Sequence, residues 1–455
     1  MSRLLISAAH KSSGKTTVSL GLCAALAKRG LAVQPFKKGP DYIDPMWLGQ
    51  AAGRPCHNLD FYCMSQEEIL TAVGHYASDA DIALIEGNKG LYDGLDLEGS
   101  NSNAALATLT RTPVILVLDA RGMTRGIAPL ILGYQSFDPD VTIGGVILNQ
   151  LGGSRHEAKL RAVIEHYTDV PVIGGVHRNS SLVIDERHLG LIPSNEAATA
   201  DSKIRVIRDL VSEQVDIDRL LALAGQEPIR FKPRQAAPQH DTAPVRIGIA
   251  HDAAFGFYYP DDIAALQEAG AELVYFNTLT DTVLPEIDGL FIGGGFPESY
   301  LCTLEANASL RAAIRSAIEA GLPAYAECGG LMYLSRSLSW KGNRADMVGV
   351  IPADAVMHAR PQGRGYVRLR ETAGAPWPTE HPKGEFAAHE FHYSALENIS
   401  EPLSYAYEVL RGTGVDGRHD GIVINNLLAC YSHMRDTDQH HWARRFVEFI
   451  RQRRG

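Results

Sequence analysis

The stretch LLISAAHKSSGKTT, residues 4–17, decides the fold of the first half of the chain. It reads as a short apolar strand, a loop of small and polar residues, and the start of a helix. A P-loop has this layout, with backbone N–H groups at a helix N-terminus surrounding phosphate oxygens. Ala9 stands where the first glycine of that loop usually occurs, so its φ must be negative. The alternative is an ordinary strand-to-helix turn with a chance Gly-Lys-Thr.

A P-loop gives single residues chemical roles. Lys15 is placed to contact the β- and γ-phosphates of a nucleotide, and the Thr16 hydroxyl is placed to bind Mg²⁺. Asn149 ends the predicted strand GGVILN and is a candidate for binding the base, although a turn-capping asparagine fits almost as well. The predicted ATP-binding residues are Ser12, Ser13, Gly14, Lys15, Thr16, Thr17 and Asn149.

Two further segments place charged side chains near the ends of predicted strands. They are KKGPDYID, residues 37–44, after the second strand, and EGNKGLYDG, residues 86–94, after the third. Ligands of an open α/β sheet bind at the carboxyl ends of its strands, where carboxylates can hold Mg²⁺ between phosphates. We therefore predict a metal site of Thr16, Asp41 and Glu86, although each carboxylate alone could be a turn or cap residue. The lysines Lys37, Lys38 and Lys89 can neutralise an anionic substrate.

Short runs rich in Val, Ile and Leu alternate with helical segments along the chain, which is typical of doubly wound parallel sheets. The predicted strands of the first half begin at Leu4, Val33, Ile82, Val114 and Val141. A proline-bearing, apolar-poor segment then interrupts the pattern, which restarts at Ile247. We predict two α/β domains, residues 1–230 and 244–455, joined by a linker over 231–243.

The second half contains the pattern of a nucleophile elbow. AECGG, residues 326–330, combines a strand end, a cysteine and two glycines that allow a tight turn into a helix. The GGGFPE loop, residues 293–298, can add a backbone N–H for a developing oxyanion, so Gly294, Gly295 and Gly329 are the predicted oxyanion residues. His433, at another predicted strand end, is the candidate base for Cys328. The alternative is that Cys328 is an ordinary buried thiol.

Composition excludes several classes of protein. The 455 residues carry 43 Lys and Arg against 53 Asp and Glu, a formal charge of −10, which argues against a nucleic-acid-binding surface. The six cysteines show no metal-ligand or disulfide spacing, and the N-terminus resembles no signal peptide. No apolar run is long enough to span a membrane. We expect a cytoplasmic enzyme that binds neither nucleic acid nor membrane.

Taken together, these motifs resemble the cobyrinic acid a,c-diamide synthase family. The resemblance rests on the P-loop, KKGPDYID, EGNKGLYDG, GGGFPE and AECGG, with HEFHYS (389–394) and YSHMRD (431–436), and it spans nearly the whole chain. It implies a glutamine-dependent amidotransferase. The N-terminal domain would be a dethiobiotin-synthetase-like P-loop ATPase, and the C-terminal domain a class I glutamine amidotransferase.

The resemblance also implies residue roles. Cys328 matches the nucleophile and His433 its base, while the implied substrate residues are Lys37, Lys38, Tyr42, Asp44, Lys89 and Asp93. The usual triad glutaminase has a glutamate two positions after its histidine, but Arg435 stands there in this chain. The orienting group of the histidine is therefore left open, and HEFHYS receives no chemical role.

The implied reaction is amidation of the a and c acetate side chains of a tetrapyrrole polycarboxylate, most simply cobyrinic or hydrogenobyrinic acid. ATP, L-glutamine and Mg²⁺ would be required, and the resemblance leaves a homodimer open. Sirohaem or (nickel-)sirohydrochlorin is the alternative substrate. Two other classes are a P-loop switch ATPase with a regulatory domain and a non-catalytic scaffold. A switch ATPase would carry a signature lysine where His10 stands, and it would leave the cysteine elbow unexplained.

Overall fold

The computed structural model describes residues 2–184, 186–187, 190–196, 199–232, 243–378 and 384–454. The chain divides into two compact units, residues 1–234 and 235–455. Most of the predicted linker lies outside the described residues, so its conformation stays a prediction. Within the described ranges, no helix is long and apolar enough to cross a membrane.

The first unit is built on a seven-stranded sheet in which every neighbouring pair is parallel. The strands are β1 (Ser2–Ala8), β2 (Val33–Lys38), β3 (His57–Leu59), β4 (Ile82–Glu86), β5 (Val114–Asp119), β6 (Ile143–Leu151) and β7 (Val172–His177). Their order in the sheet is β3-β2-β4-β1-β5-β6-β7. A short hairpin of β8 (Glu186–Arg187) and β9 (Gly190–Leu191) follows.

Helices cover both faces of this sheet, as the uninterrupted apolar runs predict. Leu4 and Ile6 of β1 pack into one apolar cluster with Val18 and Val211, while Leu5 packs into a second cluster on the other face. The helices are α1 (Lys15–Lys28), α2 (Ile43–Ala52), α3 (Gln66–Tyr76), α4 (Asn103–Thr110), α5 (Ile127–Phe137), α6 (Ser154–Tyr167), α7 (Ala200–Gln214) and α8 (Ile217–Ala222). This arrangement confirms the doubly wound α/β fold predicted for the first half.

The strand boundaries differ from the predicted ones at the functional edge. Lys37 and Lys38 are the last two residues of β2, and Glu86 is the last residue of β4, so these side chains belong to strands and not to the loops after them. β3 was not predicted, because three residues are too few to show a period in the sequence. It pairs with β2 and so extends the edge that carries the lysines.

In the described part of the second unit the strands are β10 (Val245–Ala250), β11 (Phe255–Phe257), β12 (Ala271–Phe276), β13 (Gly289–Ile292), β14 (Gly294–Gly295), β15 (Ala324–Glu327), β16 (Ser335–Trp340), β17 (Asn343–Asp346), β18 (Ile351–Met357), β19 (Gly363–Glu371), β20 (Glu385–His392), β21 (Ser394–Glu397), β22 (Ser404–Arg411), β23 (His419–Ile424) and β24 (Leu427–Cys430). Nine of them form a mixed sheet of order β12-β10-β13-β15-β24-β23-β22-β19-β20. Its first five strands are parallel, and the remaining pairs are antiparallel. The others form a four-stranded sheet of order β17-β16-β18-β21 and a two-stranded pair, β11-β14.

The helices of the second unit are α9 (Pro260–Glu268), α10 (Leu301–Ala306), α11 (Ala308–Glu319), α12 (Gly329–Leu334) and α13 (Trp442–Arg453). The helical periodicity of residues 304–320 predicts a single helix there, but the structure has two, α10 and α11. Asn307 ends α10 and caps α11, with its side chain accepting from the N–H of Leu310 and donating to the carbonyl of Thr278. The backbone N–H of Asn307 also donates to the carbonyl of Thr303 at the end of α10, so this residue satisfies both helix ends and stops the helical period.

Candidate active sites

Gly14 of the P-loop is held in a conformation that only glycine adopts easily. Its φ is 89°, and a Cβ added there would lie 2.0 Å from the Nδ2 atom of Asn149. Ser12 also has a positive φ, 64°, whereas Ala9 does not. The loop can therefore form without its usual first glycine.

Asn149 lies behind the P-loop, two residues before the end of β6. Its amide donates to the carbonyl of Ser13 at 2.8 Å, and the side chain is buried. Its observed contact is thus with the loop backbone. This side chain supports the phosphate-binding turn, and a role in recognising the base stays a prediction.

Two carboxylates converge on the P-loop threonine. The Thr16 hydroxyl lies 3.2 Å from Asp44 Oδ2 and 2.9 Å from Glu86 Oε1. The Lys37 ammonium contacts the same oxygens at 2.5 and 2.7 Å, and Asp41 at 3.7 Å. Asp41 uses its other oxygen to accept from the N–H groups of Ile43 and Asp44. Asp44, and not Asp41, therefore shares the Thr16 hydroxyl with Glu86. The metal role predicted for Asp41 stays a prediction.

The charges in this cluster depend on each other. Burial raises the pKa of Glu86 although Lys37 opposes it, and burial together with Asp44 raises the pKa of Asp41 to about 7. Burial would also raise the pKa of Asp44, but the contact with Lys37 outweighs burial, so the pKa of Asp44 is lowered. Burial would lower the pKa of Lys37, yet Asp44, Glu86 and Asp41 raise it well above its usual value. Lys37 is therefore a cation held within this cluster.

The residues around Thr16 fit a magnesium ion. Among the described residues, no three or more His, Cys, Asp and Glu side chains form a metal-binding group of their own. Mg²⁺ does not need such a group, because it commonly binds one or two carboxylates together with water and substrate phosphates. The Thr16 hydroxyl with Asp44 and Glu86 supplies that set of hard oxygen donors.

The remaining predicted substrate residues border the same edge of the sheet. Lys15 donates to the carbonyl of Lys89 at 2.5 Å, and Lys38 donates to Asn88 Oδ1 at 3.0 Å. Burial lowers the pKa of Lys15 and of Lys38 to about 8 in each case. Asp93 accepts from the N–H of Gly90 and so braces the turn, Tyr42 is buried, and the Lys89 side chain is exposed.

In the second unit, Cys328 forms the turn between β15 and α12. Its φ is 46° and its ψ is −96°, a strained conformation for a residue with a Cβ. Its N–H donates to the carbonyl of Cys430 at 2.7 Å, which fixes the end of β15 against β24. This strained turn is the geometry of the predicted nucleophile elbow.

The three glycines predicted to form the oxyanion site lie close together. A Cβ added to Gly329 would lie 2.9 Å from Gly295 N, and one added to Gly294 would lie 2.7 Å from His433 Cε1. A Cβ on Gly295 would meet the carbonyl oxygen of Ala254 at 2.0 Å. The backbone can pack this tightly around the cysteine and the histidine only because these residues have no side chains.

His433 follows β24 and is buried between Cys328 and Glu327. Its Nδ1 atom lies 3.2 Å from Glu327 Oε2. Burial would lower the pKa of His433, but hydrogen bonds with Cys328 and Glu327 raise it to about 10. The imidazole is therefore placed to hold a proton beside the cysteine sulfur.

The HEFHYS segment lies behind this histidine. His389 exchanges two backbone hydrogen bonds with His433, and the two rings stack at 4.9 Å. Burial, followed by the charges of His433 and Arg435, holds the pKa of His389 well below its usual value, so its ring is neutral. His392 stacks on Tyr431 at 3.9 Å. The segment forms one wall of the histidine site.

Glu327 was missed from the sequence, although it directly precedes Cys328. A charged residue in the otherwise apolar strand AYAE was the available signal. Arg435, found where a glutamate was expected, instead donates to Asp261 Oδ2 at 2.6 Å. The arginine is thus turned towards α9 and pairs with that carboxylate.

Two family models match the chain. Residues 5–191 match the CobQ/CobB/MinD/ParA nucleotide binding domain, and residues 246–439 match the CobB/CobQ-like glutamine amidotransferase domain. The cobyrinate a,c-diamide synthase of Magnetococcus marinus is 46% identical, with 99% of this chain and 97% of that protein covered. This chain belongs to the cobyrinate a,c-diamide synthase family.

Two further relatives carry the same name and also cover nearly the whole chain. The Methanosarcina acetivorans enzyme of the same name is 44% identical, over 98% of this chain and 95% of its own length. The Archaeoglobus fulgidus enzyme is 39% identical, over 98% and 97%. As a member of the cobyrinate a,c-diamide synthase family, the chain is a carbon–nitrogen ligase with a nucleotide-binding domain and glutamine as the amido donor.

Proposed function

We propose that this enzyme converts the a and c acetate carboxylates of cobyrinic or hydrogenobyrinic acid to amides, with ATP and glutamine as co-substrates. The observation that carries the proposal is the pairing of Cys328 with His433, beside the close-packed glycines, in a chain that also has a P-loop. The names of its relatives favour cobyrinate over sirohaem or sirohydrochlorin. A homodimer and a cytoplasmic location stay predictions.

The second unit releases ammonia from glutamine. The Cys328 sulfur attacks the side-chain amide carbon, and the backbone N–H groups of Gly329 and Gly295 stabilise the oxyanion. His433 takes the thiol proton and passes it to the departing nitrogen, so the carbon–nitrogen bond breaks and a thioester remains. Water, deprotonated by His433, then attacks the thioester and releases glutamate and the thiol.

The first unit activates the carboxylate. An acetate oxygen of the tetrapyrrole attacks the γ-phosphorus of ATP, which gives ADP and an acyl phosphate. Ammonia then attacks the acyl carbon and phosphate leaves, so that one amide forms for each ATP. Lys15 and the P-loop backbone hold the phosphates, while Thr16, Asp44 and Glu86 would hold Mg²⁺, which neutralises charge on the phosphates when bound.

The lysines at this edge divide into two groups. The Lys37 ammonium is ion-paired with Asp44 and Glu86, the carboxylates proposed to hold Mg²⁺. We therefore assign Lys37 to the metal site and the transferred phosphoryl group, and not to the macrocycle. Lys38 and Lys89 remain for the carboxylates of the macrocycle, with Tyr42 and Asp93 shaping the same edge. A polycarboxylate substrate needs such local positive charge, because the protein as a whole is acidic.

The substrate is tested by incubating the enzyme with ATP, Mg²⁺ and glutamine and each candidate macrocycle in turn, followed by mass spectrometry. Cobyrinic or hydrogenobyrinic acid should gain two amides, with the monoamide as an intermediate. Diamide formation from sirohaem or sirohydrochlorin, with none from cobyrinic or hydrogenobyrinic acid, would contradict the proposed substrate. It would leave the amidotransferase chemistry in place.

A further inference from the structure

Glu327 is the acidic group nearest the base of the proposed glutaminase site. Its Oε2 atom lies 3.2 Å from His433 Nδ1, and both side chains are 4% exposed. His433 also hydrogen-bonds Cys328. The imidazole thus bridges the thiol and a buried carboxylate, and because Nδ1 faces Glu327, Nε2 is the nitrogen left for Cys328.

The Glu327 carboxylate is itself fixed in place. Its other oxygen, Oε1, accepts from the backbone N–H of Met434 at 3.0 Å and from the Tyr325 hydroxyl. The Tyr325 ring is fully buried, stacked on Phe291 at 5.1 Å and packed against Trp442. A carboxylate with its second oxygen occupied in this way can present only Oε2 to the histidine.

Three other charged or titratable groups among the described residues near His433 are unsuited to this task. Arg435 has no hydrogen-bond acceptor, and its guanidinium is paired with Asp261 and lies over the Tyr259 ring. His389 stacks on the His433 ring face and is neutral. Asp262 accepts from the backbone N–H of Asp436.

We propose that Glu327 is the positioning residue of the glutaminase site, taking the part usually played by a glutamate two residues after the histidine. It accepts the Nδ1–H of His433, fixes the tautomer that points Nε2 at Cys328, and stabilises the imidazolium formed when the thiol proton moves to Nε2. Its role is that of the carboxylate in a Ser-His-Asp triad, which orients the histidine. The inference rests on the proposed function, because it requires His433 to serve Cys328.

The test compares Glu327→Gln with Glu371→Gln in the full-length enzyme. Glutamine keeps the volume of Glu327 and can still accept from Met434, but its amide group would oppose the required tautomer. Glu371 is also buried, lies 3.7 Å from the Nε2 atom of His440 and pairs with Arg445, so the control removes a comparable carboxylate elsewhere in this unit. Glutaminase kcat and KM are measured across pH, with ammonia-dependent amidation as a check on the other half.

For Glu327→Gln we expect kcat of glutamine hydrolysis to fall about 100-fold, with little change in KM and in ammonia-dependent amidation. The alkaline limb of the kcat profile should move to lower pH, because the imidazolium of His433 loses its anionic partner. A loss of packing alone would not move that limb. Glu371→Gln should keep the wild-type profile. An unchanged profile in Glu327→Gln, or an equal loss in Glu371→Gln, would overturn the proposal.

Two additions keep the outcomes distinct. Cys328→Ala must abolish glutaminase activity, and if it does not, the proposed function fails and not only the role of Glu327. If Glu327→Gln does not fold, NMR of the wild-type enzyme labelled with ¹⁵N-histidine shows whether Nδ1 of His433 carries a proton. A downfield Nδ1–H proton that disappears in His433→Ala is expected, and a His433 ring without a proton on Nδ1 would contradict the assignment.

Discussion

Glu327 Oε2 lies 3.2 Å from His433 Nδ1, although the two residues are 106 positions apart in the chain. The contact exists because β15 and β24 are neighbouring parallel strands, with Glu327 opposite Cys430 in the register. The strand that ends in the nucleophile therefore also carries the carboxylate that faces the base. One strand end positions two members of the site, so a shift of β15 relative to β24 would disturb both.

Gly14→Ala should abolish ATP binding while leaving glutamine hydrolysis intact. The new methyl group would lie 2.0 Å from Asn149 Nδ2, at a residue whose φ is 89°. We expect the affinity for ATP, measured by calorimetry, to fall at least about 100-fold, because the turn that holds the phosphates cannot close. Gly30→Ala is the matched control, with a φ of 85° and no atom within 4 Å of the added Cβ. Gly30 follows the other end of α1, so equal losses in the two variants would show a general destabilisation of the domain and not a local defect of the P-loop.

Asp44→Asn should impair magnesium binding more than Asp41→Asn. Asp44 lies against the Thr16 hydroxyl, whereas Asp41 caps the first turn of α2. The Mg²⁺ concentration that half-activates ATP-dependent amidation should rise about 10-fold or more in Asp44→Asn. Asp41→Asn should leave both the magnesium requirement and the melting temperature nearly unchanged, because the asparagine amide oxygen can still accept from the N–H groups of Ile43 and Asp44. The opposite order of the two magnesium requirements would restore Asp41 as the ligand.

Replacing Cys328 with glycine should give a more stable protein than replacing it with alanine. The φ of 46° and ψ of −96° strain any residue that carries a Cβ, and glycine removes that strain. We expect Cys328→Gly to exceed Cys328→Ala by about 1 kcal/mol in the free energy of unfolding, measured by chemical denaturation. A more stable alanine variant would mean that the turn relaxes once the sulfur is removed.

His389 should act through the shape of its ring and not through charge. Its pKa is held well below the usual value by burial, His433 and Arg435, so an uncharged ring can replace it. His389→Phe should keep the stacking on His433 and lower glutaminase kcat by about threefold at most, whereas His389→Ala should lose about 10-fold. If both variants lose activity equally, the imidazole nitrogens of His389 matter more than its ring.

Much of the architecture could be predicted from the sequence, because buried parallel strands appear in it as apolar runs of four to six residues. The P-loop, the cysteine elbow and the close-packed glycines were also readable, since each depends on a few consecutive residues. β3 and the break at Asn307 were not predicted. β3 is too short to show a period. The break at Asn307 depends on hydrogen bonds from its side chain to the carbonyls of Thr278 and Asp281.

The contacts that the sequence could not reveal join distant segments. Glu327 meets His433 only through strand register, and Asn149 meets Ser13 only because β6 ends behind the P-loop. The choice between Asp41 and Asp44 depends on how one loop turns into α2. The two aspartates are three residues apart and look equivalent in the sequence. In the fold, Asp44 contacts the Thr16 hydroxyl, whereas Asp41 accepts from backbone N–H groups at the start of α2.

The central claim is that Cys328 catalyses the release of ammonia from glutamine for a separate ATP-dependent amidation. It is tested most directly with Cys328→Ala. Amidation of cobyrinic acid is measured with MgATP and either glutamine or ammonium chloride as the nitrogen source. The account predicts that the glutamine-dependent reaction disappears while the ammonia-dependent reaction keeps its wild-type rate. Loss of both reactions, or retention of both, would contradict it.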